Sequence, residues 1–247
     1  MSCYFPLGTM LWVLCILQFM LHMAGGCAIE ERIALMRIRS LLVEANSEVP
    51  ASWGLSDDCC SWERVRCNNS TRVSGLNLDS VYVYQTCVRD PCWNLNLTIF
   101  SSFHELQQLD LSWNSALLQN FDGLEGLTKL RYLNLSGNSL VENNILESLG
   151  PNLFGTQRHL QFLDLSNNFS GSLPNWMFTN EAPLLYLGLA HNSLVGSLDH
   201  LMWQQQSNLQ KINISMNYFT GQLPMDISSV FPNLTVLDPS YNNISGH

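Results

Sequence analysis

The sequence predicts an α/β solenoid: short coils stacked in a line, a parallel β-sheet along one concave face, and a disulfide-bonded helical cap over the first coil. Three observations predict it. Leu and Asn are in joint excess, at 42 and 24 of 247 residues. The pattern LxxLxLxxN recurs from Leu106 onward at near-constant spacing. Six cysteines cluster between Cys27 and Cys92, beside a stretch with helical periodicity.

The repeat sets the architecture. Its copies start at Leu106, Leu130, Leu160, Leu184, Leu209 and Leu234, in steps of 24, 30, 24, 25 and 25 residues. A weaker copy at Val73, Leu76 and Leu78 has Val81 where the Asn is expected. Within LxL the two leucines face one side of a short strand and the middle residue faces the other. The Asn falls where the chain turns, and its amide can pair backbone groups that stacking would otherwise bury unsatisfied. One repeat cannot bury its leucines alone, so the copies must stack and form a parallel sheet. Gly171, Gly196, Gly221 and Gly246 recur every 25 residues, with Pro174 and Pro224 in LP pairs and Asp199 replacing the proline once. Glycine there permits a tight turn on the outer side.

Ahead of the repeats, Ala34, Ile38, Leu41, Leu42 and Ala45 have helical spacing within residues 29 to 46. This helix is expected to lie across the first coil and seal its leucines, with Trp53 and Trp62 filling the junction. Cys27, Cys59, Cys60, Cys67, Cys87 and Cys92 allow fifteen disulfide connectivities. Adjacent Cys59 and Cys60 are strained as a pair, so each reaches outward. The most economical solution joins Cys27 to Cys59, Cys60 to Cys67, and Cys87 to Cys92. A zinc site fits poorly, since no CxxC pair occurs and the six histidines are scattered.

Residues 10 to 21 form an apolar run followed by small residues Ala24, Gly25 and Gly26. The run is shorter than the ~20 residues that span a bilayer, so residues 1–26 are expected to be a secretory signal peptide. The cap then occupies 27–71, and about seven leucine-rich repeats occupy 72–247, the last incomplete and without a C-terminal cap. Disulfides agree with an oxidising compartment. The net charge of −9, with 11 basic against 20 acidic residues and two lysines, excludes a nucleic-acid surface, which needs clustered cations. Disorder is excluded by the 46% hydrophobic content.

The segment CAIEERIALMRIRSLL from Cys27, then SWGLSDDCCSWERVRCNN from Ser52, then repeats carrying NxxxGxLP, resembles the extracellular part of plant leucine-rich-repeat receptor-like proteins. The resemblance covers nearly the whole chain. It implies a right-handed leucine-rich-repeat solenoid on the extracellular face of the plasma membrane. It further implies a peptide or protein ligand, and signalling through a co-receptor kinase in plant defence or development. Membrane attachment is expected only through a segment absent from this chain. The sequence stops inside a repeat, and the expectation is the N-terminal piece of a longer ectodomain or a truncated product. An alternative is a secreted inhibitor of cell-wall hydrolases such as polygalacturonase, whose family shares the cap. An inert truncated product is the third class.

Outward strand residues line the concave face, where such solenoids bind. Just before the second motif leucine they are Gln108, Tyr132, Phe162, Tyr186, Lys211 and Val236, and three adjacent aromatics are candidate anchors. The competing reading is that these flat rings simply stack on one another. Trp113, Tyr132, Phe162, Tyr186, His191 and Lys211 are the candidate ligand-binding residues. Glycosylation sequons at Asn68, Asn69, Asn96, Asn134, Asn213, Asn233 and Asn243 suit an extracellular glycoprotein, while the one at Asn168 falls on the turn Asn and is expected to be buried. No cofactor is expected, and no enzyme: His104-Glu105 begins like HExxH but the fifth residue is Gln108, and no GxSxG, P-loop or GxGxxG occurs.

Overall fold

The computed structural model describes residues 26–82, 93–140, 157–167, 170–173, 183–200 and 208–245. Alternation within each LxL unit gives a three-residue strand whose middle leucine enters the core while the residues on either side of it face away. In chain order the strands are β1 (Val65–Cys67), β2 (Val73–Asn77), β3 (Asn94–Asn96), β4 (Gln108–Asp110), β5 (Leu117–Gln119), β6 (Tyr132–Asn134), β7 (Ser139–Leu140), β8 (Phe162–Asp164), β9 (Ser170–Ser172), β10 (Tyr186–Gly188), β11 (Ser193–Ser197), β12 (Lys211–Asn213), β13 (Tyr218–Thr220) and β14 (Val236–Asp238).

One eight-stranded sheet has the order β1-β2-β4-β6-β8-β10-β12-β14. It is parallel from β2 onward, whereas β1 runs antiparallel to β2 at the cap end. Every junction keeps the same phase, so Gln108, Tyr132, Phe162, Tyr186, Lys211 and Val236 form one row. The 30-residue step joins β6 to β8 in that register too, so its extra length falls outside the strands. Two three-stranded sheets, β3-β5-β7 and β9-β11-β13, form beyond the turns. Gly171, Gly196 and Gly221 there have φ of 110°, 128° and 81°, a left-handed region in which Cβ-bearing residues are strained. Gly246 lies outside the described residues.

The core is one continuous column of leucines. Leu109, Leu111, Leu133, Leu135, Leu163, Leu165, Leu187 and Leu189 are fully buried or nearly so. Asn ladders seal the turns. Asn138 donates to the carbonyls of Leu135 in its own coil and Leu111 in the preceding one, and its Oδ1 accepts the N–H of Ala116. Asn114, Asn217 and Asn242 repeat the arrangement. Asn192 makes both carbonyl bonds as well. Val81 lacks such a side chain, yet its junction is satisfied because Asn114 reaches back to Leu78 and Tyr82. Asn168 lies outside the described residues.

In the cap, the helix Ile29–Glu44 buries Ala34, Leu35, Ile38 and Leu42, with Leu41 and Ala45 half-buried against the core. Trp53 and Trp62 fill the junction, both 2% exposed and 5.9 Å apart between ring centroids. Cys27 bonds Cys59 and Cys60 bonds Cys67. Cys87 and Cys92 lie outside the described residues, as does the leader apart from Gly26. Periodicity misses Glu31, a carboxylate on the buried face of the helix. It accepts from the Arg72 guanidinium and from the Val73 N–H, pinning the helix to β2. Burial raises its pKa, against the lowering effects of the Val73 and Arg72 hydrogen bonds.

At the far end Leu234, Leu237 and Ile244 are only partly buried. Pro239 follows β14 at the place where Leu111, Leu135, Leu165, Leu189 and Ile214 each donate an N–H to the following coil. Proline has no such donor. No helix among the described residues is long and apolar enough to cross a membrane.

The concave face as candidate ligand-binding surface

Three rows of side chains run along the large sheet, each set by one repeat position. In the first, the Tyr132 and Phe162 rings lie 4.2 Å apart at 11°, and those of Phe162 and Tyr186 4.3 Å apart at 5°. The ~4.8 Å strand spacing places flat rings at about stacking distance, so identical register makes the stack. All three rings are half-buried because each covers its neighbour. Exposed Gln108 precedes the stack and exposed Lys211 follows it.

The second row is Asp110, Asn134, Asp164, Gly188, Asn213 and Asp238. It has a local duty: each acidic or amide oxygen accepts the backbone N–H two residues on, from Ser112, Ser136, Ser166, Ser215 and Ser240. The spare carboxylate oxygens meet the stack, since the Tyr132 hydroxyl donates to Asp110 at 3.1 Å and that of Tyr186 to Asp164 at 3.4 Å. Burial pushes the Tyr132 phenol up to about 12, and the Asp110 carboxylate adds to the rise. Burial and then Asp164 push Tyr186 up to about 12. Gly188 makes room for Asp164, whose Oδ1 lies 2.6 Å from where a Cβ would stand.

The third row, Trp113, Gly137, Asn167, His191, Met216 and Tyr241, adopts left-handed φ between 55° and 69° throughout. In that conformation the N–H groups of Trp113, Gly137, Asn167, His191 and Met216 each bond the next coil, as Trp113 does to Ser136 and His191 to Ser215. Trp113 is 60% exposed and lies against Gly137, where an added Cβ would stand 2.9 Å from the indole. The structure thus gathers Tyr132, Phe162 and Tyr186 into one stack, with Lys211 next in the same row. Trp113 and His191 are exposed two rows across from it.

The sequence reading missed the cap's contribution to this face. Strand β1 extends the sheet beyond β2 and brings Arg64 and Arg66 onto the concave side. A cleft of 510 Å³ opens there, lined by both arginines, Gly75, Gln108, Asp110 and Tyr132. Arg66 donates to the Gln108 Oε1 at 3.0 Å, and Arg64 to the carbonyl and carboxylate of Asp79. The only sequence signal was the pair of cations in RVRC, because an antiparallel strand is invisible to a repeat search.

Among the sequon residues, Asn69, Asn96, Asn233 and Asn243 are exposed, whereas Asn68, Asn134 and Asn213 are half-buried. Asn134 and Asn213 each accept from the serine hydroxyl two residues on. No cluster of His, Cys, Asp and Glu able to hold a metal occurs among the described residues.

A stacked parallel sheet, an Asn ladder and a disulfide-bonded cap together define a leucine-rich-repeat ectodomain of plant type. The leucine rich repeat N-terminal domain family matches residues 28–68, and the Leucine Rich Repeat family matches 129–155, 159–180 and 208–230. Receptor-like protein 1 of Arabidopsis thaliana is 32% identical over 197 residues, which are 72% of this chain and 18% of that protein. Receptor-like protein 9b of the same plant is 33% identical over 178 residues, 69% of this chain and 18% of that one. The chain belongs to the plant leucine-rich-repeat receptor-like proteins. It spans about a fifth of the length of these curated relatives. In fold it resembles a pollen receptor kinase 3, with TM-score 0.62 and 20% identity over 84% of this chain and 96% of that one. It also resembles a plant ice-binding protein, with TM-score 0.56 and 22% identity over 89% and 81%.

Proposed function

We propose that this chain is a non-catalytic recognition module that binds a peptide or protein ligand on its concave face at the cell surface. The observation that carries the reading is the stack of Tyr132, Phe162 and Tyr186, continued by the exposed cation of Lys211 and flanked by Trp113 and His191. Aromatic rings held rigid by stacking lose little entropy when a partner covers their edges, which suits them as anchors. The relatives' names favour a receptor over an inhibitor of wall hydrolases. Fold alone does not decide, because the ice-binding protein has the same architecture.

The wider reading follows from that class. The chain is delivered by residues 1–26 to the extracellular face of the plasma membrane, carries glycans at exposed sequons, and acts in defence or developmental signalling with a co-receptor kinase. Glycans at Asn134 or Asn213 would stand beside the ligand rows and limit what docks. To test the binding surface, tagged full-length protein is incubated with peptides extracted from plant cell-wall fluid, and retained peptides are identified by mass spectrometry. The triple variant Tyr132→Ala, Phe162→Ala and Tyr186→Ala is expected to retain at least tenfold less than the parent. Equal retention by a folded triple variant overturns the assignment.

A further inference from the structure

We propose that the cleft between strand β1 and the aromatic stack is a binding site for a peptide carboxylate that is followed or preceded by an apolar side chain. The proposal deepens, and rests on, the reading of the concave face as a peptide-binding surface. It concerns cap residues that the repeat pattern leaves out.

Gly75 leaves a gap in the first row of the concave face. It occupies the row position that Gln108, Tyr132 and Phe162 fill in later coils, so β2 contributes no side chain there. Glycine weakens a strand interior, and one reason for tolerating it is close approach by another group. Its φ is not left-handed, and an added Cβ would stand 3.3 Å from the Cβ of Arg66, which is tight but not prohibitive. Neither backbone conformation nor a severe clash demands glycine. Its absence of side chain leaves the 510 Å³ cleft open.

The walls then define the ligand. Arg66 is exposed, and among the described residues the acceptor its guanidinium meets is the neutral amide of Gln108. A carboxylate would accept two parallel N–H bonds from that planar fork, and charge-assisted bonds are roughly twice as strong as neutral ones. Arg64 pairs with Asp79, so among the described residues lining the cleft Arg66 is the cation without a carboxylate partner. Opposite, the Asp110 carboxylate accepts from Ser112 and from the Tyr132 hydroxyl. These bonds fix it as a hydrogen-bond acceptor facing the cleft, suited to a peptide N–H rather than to a second anion. Tyr132 ends the ring stack on the cleft side and offers apolar surface. A dianion such as phosphate meets no second unpaired cation among the described residues of the cleft and faces Asp110, so a single carboxylate beside an apolar group fits best.

The carboxylate can belong to an Asp or Glu side chain or to a peptide C-terminus, and the test separates them. Two random heptapeptide pools, one ending in carboxamide and one in free carboxylate, are captured on immobilised full-length protein and the retained peptides sequenced. Enrichment of an acidic residue next to an aromatic or aliphatic one in the amidated pool identifies a side-chain carboxylate. Enrichment confined to the free-acid pool, with an apolar last residue, identifies the C-terminus. Either is expected to fall at least tenfold with Arg66→Gln and with Gly75→Leu, and to be unchanged by Lys129→Gln, which removes a cation elsewhere. Arg66→Glu is expected to exchange the acidic preference for Lys or Arg. Because Arg66 is exposed, its variants keep the test valid if Gly75→Leu fails to fold. Peptides retained equally by the Arg66 variants, yet lost by the triple aromatic variant, overturn the cleft and leave the concave-face reading standing. Retention of nothing from either pool overturns both.

Discussion

At the scale of single residues, the aromatic stack is a titration unit as well as a surface. The Tyr132 and Tyr186 phenols are half-buried beside carboxylates and pushed up to about 12. The folded chain therefore holds these protons when the unfolded chain has lost them. Stability from this source is complete below pH ~10 and is lost as pH rises from there through about 12. An ultraviolet titration of the folded protein is expected to show Tyr132 and Tyr186 ionising near pH 12. Tyr132→Phe and Tyr186→Phe should each remove one of them. Ionisation of both near pH ~10 would contradict the stacked, carboxylate-paired geometry. The three rings were legible in the sequence as a row, because register follows from the repeat. Their mutual covering was legible only as one of two readings, since the choice between stacking and display depends on strand spacing and rotamer. Glu31 was not legible at all: a charged residue on a helix reads as solvent-facing until Arg72 and Val73 are found opposite it.

At the scale of elements, the coil-to-coil junction is held as much by amides as by leucines. Each ladder Asn bridges two coils with bonds that water cannot replace where the side chain is buried. Asn138 is 1% exposed, and its loss strands the carbonyl of Leu135 and the N–H of Ala116. An unpaired buried group costs roughly 1–3 kcal/mol, so Asn138→Ala is expected to destabilise by about 3 kcal/mol. Asn242 makes the same bonds at a half-buried site, where solvent supplies partners. Asn242→Ala should cost about 1 kcal/mol or less. Urea midpoints measure the difference, and equal losses would show that the bonds act locally rather than as junctions. The LxxLxLxxN pattern made these ladders readable in advance. What it left out was β1, whose antiparallel pairing obeys no repeat and which carries the cations of the candidate cleft.

At the scale of the whole molecule, cohesion has to be a sum of neighbouring junctions, because in a solenoid each coil touches only the coils beside it. The two ends are not equivalent. At the cap end, two disulfides, the Trp53–Trp62 pair and the buried Glu31 fasten the helix to the first coil. At the other end Leu234, Leu237 and Ile244 are only partly covered, as are Ile227 and Val230 of the short helix Ile227–Val230. Backbone N–H groups in the middle coils bond forward, as Leu111 does to Asn134 and Leu135 to Asp164, whereas Pro239 has nothing to donate. Opening should therefore begin at the last coil and travel inward one junction at a time, with the cap opening last. Amide hydrogen exchange on this chain is expected to show protection that declines from the N–H groups of Leu111, Leu135 and Leu165 toward the coil of β14. The declining profile should shift as a block when Asn217→Ala weakens one junction: coils beyond it lose protection, and those on the cap side keep theirs. Uniform protection along the chain, or loss of protection on both sides of Asn217 alike, would mean that the coils unfold as one cooperative globule. The linear description, and with it the independence of the cap cleft from the distal coils, would then fail.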